Sequence, residues 1–427
     1  MKLALTQNMN LQSARDRVTS ANITLETAKS AFGIKIHPEV SGLFQKAENP
    51  TQHYGLTVSK RLQIGGELSL QAKTAIDRSQ ENQYQTDLTL AYTQPLLKGR
   101  GKLATTAELV SAGQSVKAQY RSLVLAQQQL MVNVATSYYE LLRDQMLLEV
   151  HERALERAKT LQQAAEAKLK IGMASKMDVF RAELQALTSE NNLGDAQEAL
   201  ENAKRYFNLL LGANLATEFQ LSTQLEYNPI TIEQDALLQQ AMENRLEIQD
   251  AYDSIHEAER RVKIAQQNLY PPLDVSIQYT LSGDGDAFKK SLDLEETRWG
   301  IGLNSSFDLD VTRDRAAYQQ AQLAYEGTLR ALHSVEQDVM LDVLQTITRV
   351  KQAQARVYLQ EQSVAQAEKQ LELADLRYKK GLSTNLDVID AEEAFISAKT
   401  NYYSAIAQHL IAKMRLRQVT GTLEVPF

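Results

Sequence analysis

The sequence predicts an α+β protein made of two internal repeats, in which long antiparallel helical hairpins alternate with groups of short strands. Three observations support this fold class. The phrase KIGMASKMDVFRAE at 170–183 returns as KKGLSTNLDVIDAE at 379–392, an offset of 209 residues (379 minus 170). Two very long stretches, 96–228 and 273–425, contain no proline, the residue that most strongly interrupts helices. Segments such as PLDVSIQYTLS at 272–282 alternate strictly between apolar and polar residues, as strands do.

The composition favours helices and excludes several classes of function. The chain has 427 residues, of which 43% are apolar but only 6% aromatic, and this mixture suits long helices better than a sandwich or a parallel sheet. The formal net charge is −7 and no basic run marks a nucleic-acid footprint, so we expect no nucleic-acid partner. The absence of cysteine excludes disulfides, thiolate metal sites, a cysteine nucleophile and a lipidated N-terminal cysteine.

The sequence carries no signal for a transmembrane helix. No run of eighteen apolar residues occurs. The opening segment MKLALTQNMN has too short an apolar part to be a signal peptide. We therefore expect either a cytosolic protein or a chain from which a signal has been removed. A membrane role stays open, because strands that span a membrane as a barrel leave no such apolar run.

The first repeat is predicted to span residues 1–225. It begins with a helix whose segment ARDRVTSA matches AYDSIHEA in the second repeat. Its further elements are strands at about 38–96, a long helix at about 100–171, a tip at 172–177 and a helix at about 178–211. The long helix has about 70 residues and is therefore roughly 105 Å long, so we expect it to pack against other helices as in a coiled coil.

The second repeat is predicted to span residues 226–427 and to follow the same order. Its elements are an equatorial segment at about 213–240, a helix at about 241–269, strands at about 272–308, a long helix at about 310–380, a tip at 381–386 and a helix at about 387–420. The fixed offset between the two tip phrases holds without a gap over both flanking helices, which indicates a duplication of one unit.

Each tip has the local signature of a bend between two helices. A glycine is followed three positions later by a hydroxyl residue and six positions later by an aspartate: Gly172, Ser175 and Asp178 in the first tip, Gly381, Thr384 and Asp387 in the second. The glycine permits a left-handed bend, and the hydroxyl residue and the aspartate are suited to cap the next helix. A purely structural helix–turn–helix therefore explains each phrase taken singly.

The alternating segments predict strands with one apolar and one polar face. In the clearest case, Val275, Ile277, Tyr279 and Leu281 alternate with polar residues. The segments around Trp299 and around Leu90 follow the same pattern. A membrane-spanning barrel strand with a water-filled lumen has this pattern, and so does a soluble antiparallel sheet with one face on a core. Alternation alone does not decide between these two interpretations.

The order of elements, together with three segments, resembles the TolC-like outer membrane efflux protein family, also called outer membrane factors. These segments are YTQPLLKGRG at 92–101, KLKIGMASKMDV at 168–179 and RYKKGLSTNLDV at 377–388. The resemblance covers essentially the whole chain. It implies a homotrimer in which four strands per protomer contribute to a shared twelve-stranded outer-membrane β-barrel, while the helical hairpins form a trimeric periplasmic α-barrel.

The resemblance also implies a function, partners and a location. The chain would be the passive export duct of a tripartite efflux or type I secretion system, located in the Gram-negative outer membrane, in contact with its lipid, and extending into the periplasm. A periplasmic adaptor protein would open the duct at its tip, and an inner-membrane pump would supply the energy. The cargo stays open among drugs, metal ions and secreted polypeptides.

The resemblance assigns roles to residues at both tips. The residues matched to the gate and its constriction are Tyr378, Asp387, Asp390 and Asp178. Those matched to adaptor docking are Gly172, Ser175, Gly381, Thr384, Lys168 and Arg377. Six carboxylates from three copies of Asp387 and Asp390 would favour cations, although Asp390 alone also reads as an ordinary solvated helix residue. Ser383 stands where the family prototype has an arginine, so any link made by that arginine is absent here. We therefore expect other contacts to hold the closed state of the tip.

No catalytic constellation appears, and we expect neither an enzyme nor a cofactor. The six histidines are scattered without metal-binding spacing, so we expect no metal site. The alternative function is a soluble coiled-coil scaffold or interaction protein with small sheet segments, extractable without detergent and forming no pore. The strict alternation, with tryptophan and tyrosine among the apolar residues, is evidence against this alternative.

The first strand region is longer than the second. The surplus includes YGLTVSKRLQIGGELSLQAK at 54–73, which predicts a hairpin that turns at Gly65–Gly66. Two interpretations are open: the hairpin lengthens the strands beyond the membrane, or it forms an extracellular loop. Which segments of 38–96 span the bilayer is therefore not decided by the sequence.

Overall fold

The structure is a computed structural model that describes residues 1–43, 51–77, 83–219, 221, 223, 225–306 and 308–424. The residues form two compact units. One consists of Met1–Asp16, Arg121–Ile248 and Val335–Phe427, and the other of Arg17–Tyr120 and Gln249–Ser334. Each unit combines segments from both halves of the chain, so the predicted repeat boundary at 225/226 stays a prediction.

The described helices are dominated by two very long ones. In chain order they are α1 (Lys2–Gln7), α2 (Met9–Ser30), α3 (Gly101–Thr105), α4 (Ala107–Lys170), α5 (Lys176–Leu211), α6 (Gln234–Asn244), α7 (Leu246–Gln267), α8 (Phe288–Ser291), α9 (Thr312–Lys379) and α10 (Asn385–Val419). Helices α4 and α9 contain 64 and 68 residues, so each is about 100 Å long. Within the described part of the chain, no helix is both long enough and apolar enough to cross a membrane.

Two helices are interrupted where the sequence shows no proline. The segment from 101 to 170 breaks at Thr106, whose φ and ψ are −93° and 14°. The segment expected as one helix at about 241–269 is instead divided into α6 and α7 at Arg245. The Arg245 guanidinium donates hydrogen bonds to the Val419 carbonyl at 3.2 Å and to the Glu247 carboxylate at 2.9 Å. These contacts hold the junction in an extended backbone conformation.

The helical core consists of apolar residues at helical spacing. On α9, the buried residues Val339, Val343, Ile347 and Val350 recur every three or four positions and pack against buried residues of α6, α7 and α10. This periodicity places one apolar stripe of α9 against its neighbours. On α4, Leu141 is fully buried as well.

A single antiparallel sheet contains every described strand, in sequence order. The strands are β1 (Ile34–Leu43), β2 (Thr51–Arg61), β3 (Glu67–Asp77), β4 (Gln83–Pro95), β5 (Asp274–Gly285) and β6 (Glu296–Asn304). The sheet therefore has six strands, two more than the four per protomer that the resemblance implies for a shared barrel. The alternation that predicts β4, β5 and β6 is confirmed.

The two additional strands come from the surplus segment of the first half. The predicted hairpin is confirmed: β2 and β3 pair along eleven positions and turn between Leu62 and Gly66. The Leu62 N–H donates to the Gly66 carbonyl at 2.7 Å. Gly65 has a φ of +101°, which side-chain-bearing residues rarely adopt. A segment that was expected to extend strands or to form a loop instead adds a pair of strands to the sheet.

The pairing register gives the sheet one apolar face and one polar face. Opposed residues in antiparallel strands share a face, so rows across the sheet follow from the register. One row reads Ile36, Val58, Leu70, Leu90, Tyr279 and Trp299. The next row, on the other face, reads His37, Thr57, Gln71, Thr89, Thr280 and Arg298. The apolar face is open to solvent in the single chain: Ile36 is 67% exposed and Trp299 is 75% exposed.

Candidate functional site

The two tips end their first helix in the same way. At the first tip, Gly172 has a φ of +71°, and the Met173 N–H donates to the Lys168 carbonyl at 2.8 Å. At the second, Gly381 has a φ of +73°, and the Leu382 N–H donates to the carbonyl of Arg377 at 2.9 Å. This six-residue hydrogen bond after a left-handed glycine is the Schellman C-cap. Glycine adopts this left-handed conformation without steric cost, which explains why both phrases contain one.

Both tips begin their second helix with a capping box, as the spacing of the phrases predicts. The Ser175 N–H donates to the Asp178 carboxylate at 2.9 Å, and the Asp178 N–H donates back to the Ser175 hydroxyl at 3.2 Å. At the second tip, the Thr384 N–H donates to the Asp387 carboxylate at 2.9 Å. The predicted N-caps are confirmed. Asp178 and Asp387 thus satisfy otherwise unpaired N-terminal amides.

Side chains from both hairpins meet at one cluster beside the tips, which we call the tip cluster: Lys168, Asp178, Tyr378 and Asn385. The Lys168 ammonium lies 3.5 Å from the centroid of the Tyr378 ring and also donates a hydrogen bond to the Tyr378 carbonyl. The Asn385 amide donates to the Asp178 carbonyl at 2.5 Å. Both contacts join helices of the first hairpin to helices of the second, so the cluster holds the two hairpins together.

Tyr378 is the buried centre of the tip cluster. Within the described chain its hydroxyl is buried without a hydrogen-bond partner. Burial raises the pKa of this hydroxyl, and the nearby Asp178 carboxylate raises it further. Hydrogen bonds from the Ser175 backbone and hydroxyl hold the pKa of Asp178 below its ordinary value. At neutral pH the cluster therefore combines a carboxylate, an ammonium and a neutral phenol.

The other residues matched to the gate lie on the surface. Asp387 and Asp390 are both exposed, and they stand three positions apart on α10, so they share one side of that helix. The structure brings Asp178 and Tyr378 together, whereas Asp390 lies outside the tip cluster. Arg377 is exposed as well. Lys168 is only half-buried, but its ammonium is already engaged by Tyr378.

Sequence reasoning missed apolar residues that are exposed at both tips. Those at the first tip are Ile171, Met173, Met177 and Phe180, and those at the second are Leu382 and Leu386. A Cβ atom at Gly381 would lie 3.8 Å from the terminal methyl group of Met173, so the two bends are neighbours. The sequence signal was present, because long apolar residues are unusual in an exposed turn.

A second missed contact joins the hairpins along α4 and α10. The Arg157 guanidinium donates to both carboxylate oxygens of Glu392, at 2.9 Å from Nε and 2.6 Å from Nη2. Glu392 is only 6% exposed. Burial raises its pKa, although the bonds and charge of Arg157 act in the opposite direction. The acid belongs to the duplicated phrase, but its matched residue Glu183 is exposed, so the duplication alone does not reveal the pair.

The described residues contain no group of three histidine, cysteine, aspartate or glutamate side chains arranged to hold a metal ion. The tip cluster contains an ammonium, an amide, a phenol and a carboxylate, and three of these four groups already form structural hydrogen bonds. The tip cluster is therefore a set of polar contacts between the helices of the two hairpins.

The chain matches one known protein family. The family model of outer membrane efflux proteins aligns with residues 237–422, which lie within the predicted second repeat. Relatives and solved structures of the same class extend the match to the first half. The resemblance to the TolC-like outer membrane efflux protein family is therefore confirmed.

Three of the relatives carry the name outer membrane protein TolC, among them those of Vibrio cholerae and Escherichia coli. That of Vibrio cholerae is 24% identical over 378 residues, which cover 86% of this chain and 84% of the relative. That of Escherichia coli is 24% identical over 313 residues, which cover 70% of this chain and 62% of the relative. Among solved structures, the outer membrane protein VceC of Vibrio cholerae has a TM-score of 0.73 at 20% identity, covering 98% of this chain and 94% of VceC. At this identity the structural likeness shows the fold.

Proposed function

We propose that the chain is the outer membrane channel of an export system and that its sheet lies in the lipid bilayer. The observation that carries this proposal is the two-faced sheet: one face is apolar and exposed across all six strands, and the other is polar. Barrel strands that separate lipid from a wet lumen need this arrangement. The confirmed family resemblance supports the same class of function.

The channel works as a homotrimer with a shared β-barrel. An open sheet edge is not tolerated in lipid, because its backbone groups have no hydrogen-bond partners there. The six strands of one chain leave two edges, so a single chain needs further copies to close the sheet. A passive duct of this kind acts with a periplasmic adaptor and an inner-membrane pump, which supplies the energy for transport.

The helical tips form the periplasmic gate. Support comes from the tip cluster, where Lys168 and Asn385 connect the first hairpin to the second. Opening requires the hairpins to move apart, and the cluster is a small set of polar contacts that such a movement breaks. The adaptor docks on the apolar residues exposed at both bends, with Gly172, Ser175 and Arg377 at the same surface.

The carboxylates of Asp387 and Asp390 line the constriction in this proposal. Three chains contribute six of them, and a ring of carboxylates favours cations over anions. Asp387 also caps α10 through Thr384, so its replacement disturbs the helix start as well as the charge. Asp390 stands beyond the capping box, and it is therefore the cleaner position at which to test the ring.

Ion selectivity in a planar bilayer tests this proposal. We expect the detergent-purified protein to give small, cation-selective single-channel currents across a salt gradient. Asp390→Asn removes three charges per trimer and shifts the reversal potential toward that of a non-selective pore, whereas Glu183→Gln, an exposed acid on α5, leaves it unchanged. Equal selectivity in all three proteins would remove Asp390 from the constriction. A protein that stays soluble without detergent and forms no pore would favour the coiled-coil scaffold instead.

A further inference from the structure

We propose that three copies of this chain close one eighteen-stranded ring, by pairing strand β6 of each copy with strand β1 of the next. This inference rests on the proposed channel function and specifies its assembly. Three chains of six strands make eighteen strands, whereas the family resemblance implies twelve. The partner is a second copy of this chain, bound edge to edge through its backbone.

Strands β1 and β6 are the two open edges of the sheet. Within the described residues, β1 pairs only with β2, and β6 pairs only with β5. Each edge therefore presents a row of N–H and C=O groups without strand partners. The edges have similar lengths, ten residues in β1 and nine in β6, so one edge is long enough to pair along nearly all of the other.

The directions of the two edges match. All five pairs in the sheet are antiparallel, and an even number of strands therefore places β1 and β6 in opposite directions. A pair between β6 of one copy and β1 of the next is thus antiparallel, like every other pair. The ring continues the same ladder without a change of geometry.

The faces of the two edges match as well. On β1 the apolar face carries Ile34, Ile36 and Val40, and on β6 it carries Trp299, Ile301 and Leu303, all of them exposed in the single chain. Pairing the edges places these six residues on one continuous outer face. The polar face remains on the other side, with Lys35, His37 and Glu39 beside Arg298.

The β2–β3 hairpin is built into the sheet, which is why its strands count toward the ring. Strand β3 is paired along its full length on both sides, and β2 is paired with β3 along all eleven of its residues and with β1 along ten of them. The turn is fixed from outside: the Ile64 carbonyl accepts hydrogen bonds from the Gly101 N–H at 3.1 Å and from the Gln94 amide at 3.3 Å. Removing the hairpin from the ring would break two complete ladders and this anchor.

An eighteen-stranded ring is wider than the family's arrangement. Barrel diameter grows roughly linearly with the number of strands, so the ring is about 1.5 times as wide as one of twelve strands. The polar face then encloses a lumen that accommodates correspondingly larger cargo.

Cysteine cross-linking in the membrane tests the ring, because the natural chain has no cysteine. Gly300→Cys on the polar face of β6 is combined in turn with Lys35→Cys, His37→Cys and Glu39→Cys on the polar face of β1. The three partners sample the possible registers. After mild oxidation of outer membranes, at least one combination should give bands of two and three chains, and none larger. The matched control combines Gly300→Cys with Thr57→Cys on the inner strand β2, and should give single chains.

A second pair of cysteines tests whether the hairpin is inside the ring. Ser69→Cys and Ala91→Cys face each other across β3 and β4, and should form a disulfide within one chain of the inserted protein. Cross-linking that stops at two chains, or that requires other strands, would overturn the proposal. Edge cross-links without the disulfide between β3 and β4 would reduce the count below eighteen. In these cases bilayer currents persist and the channel function stands; protein that never inserts would overturn both.

Discussion

Lys168 shows how one side chain connects the two helical hairpins. Its ammonium lies over the Tyr378 ring and donates to the carbonyl of the same residue. Hydrogen bonds of charged groups contribute about 1.5–3 kcal/mol when they are shielded from water, and a cation–π contact at a partly exposed site adds roughly 0.5–1 kcal/mol. Lys168 is half-buried, so the lower parts of these ranges apply. In the proposed channel, a contact of this size is strong enough to favour a closed tip and weak enough for a docking partner to break.

Replacing this lysine should loosen the tip. Lys168→Met keeps the length and the apolar stem of the side chain but removes the charge and the hydrogen bond. A loss of about 1.4 kcal/mol per contact corresponds to a tenfold shift toward the separated hairpins. We expect single-channel recordings to show a clear increase in conductance or in the open fraction. Lys170→Met is the matched control, because Lys170 is exposed. Equal recordings for both variants would show that Lys168 does not hold the tip.

The residues of the tips differ in how far the sequence predicts them. The capping boxes at Ser175 and Thr384 depend on contacts three residues apart, and the spacing of the phrase is sufficient to predict them. The contact between Lys168 and Tyr378 joins residues 210 positions apart, and no local spacing encodes it. The family resemblance points to Tyr378 but not to Lys168 as its partner. Asn385 has no signal in the sequence at all.

At the scale of elements, the turn between β2 and β3 depends on one glycine. Gly65 has a φ of +101°, and a Cβ atom there would lie 3.0 Å from the Thr105 hydroxyl and 3.2 Å from the Pro95 ring. Both the backbone and the space therefore require glycine. The geometry of this turn fixes the register in which β2 pairs with β3.

Substitution of this glycine should destabilise the assembled sheet. Gly65→Val forces a β-branched residue into a positive φ beside two close neighbours, at a cost of about 1–3 kcal/mol per chain. We expect the SDS-resistant oligomer to dissociate at a lower temperature than the wild type. Gly113→Val serves as the control, because that helical glycine has open space around it. The same dissociation temperature for both variants would mean that the turn does not contribute to the sheet.

Individual strands and turns were predictable from the sequence where one local pattern was strong. Strict alternation predicts β5 and β6, and the glycine pair predicts the hairpin turn. The resemblance implied four barrel strands per chain and not the six of the observed sheet, because the sequence does not tell whether a hairpin lies inside the sheet or beyond it. That decision depends on ladders with β1 and β4 and on the bond between Ile64 and Gly101. The helix breaks at Thr106 and Arg245 escaped prediction because neither proline nor glycine marks them.

At the scale of the whole molecule, the sheet has too much exposed apolar surface for an isolated chain. Soluble monomers rarely expose contiguous apolar patches of more than a few hundred Å². Here, apolar residues cover one face across all six strands, and Trp299 is 75% exposed. Two open edges add unpaired backbone groups. In the proposed channel, further copies pair with the edges and lipid covers the apolar face, so one arrangement accounts for both features.

The two faces of β5 allow this arrangement to be tested with neighbouring residues. Ile277 lies on the apolar face and Gln278 on the polar face, and both are exposed in the single chain. Ile277→Lys places one charge per chain against lipid, at a cost of about 2–4 kcal/mol near the bilayer midplane, and a trimer carries three such charges. Gln278→Lys adds the same charge on the lumen side.

We expect Ile277→Lys to reduce strongly the amount of protein recovered from outer membranes, with the remainder found as unassembled chains. Gln278→Lys should assemble normally and change only the ion selectivity of the pore, because its charge faces water. The measurement is the fraction of heat-modifiable oligomer in isolated membranes, compared at equal expression. If Gln278→Lys failed to assemble while Ile277→Lys did not, the polar face would have to be the one against lipid. If neither variant had an effect, the sheet would lie outside the bilayer, because a lysine is neutral on both faces only where both are in water.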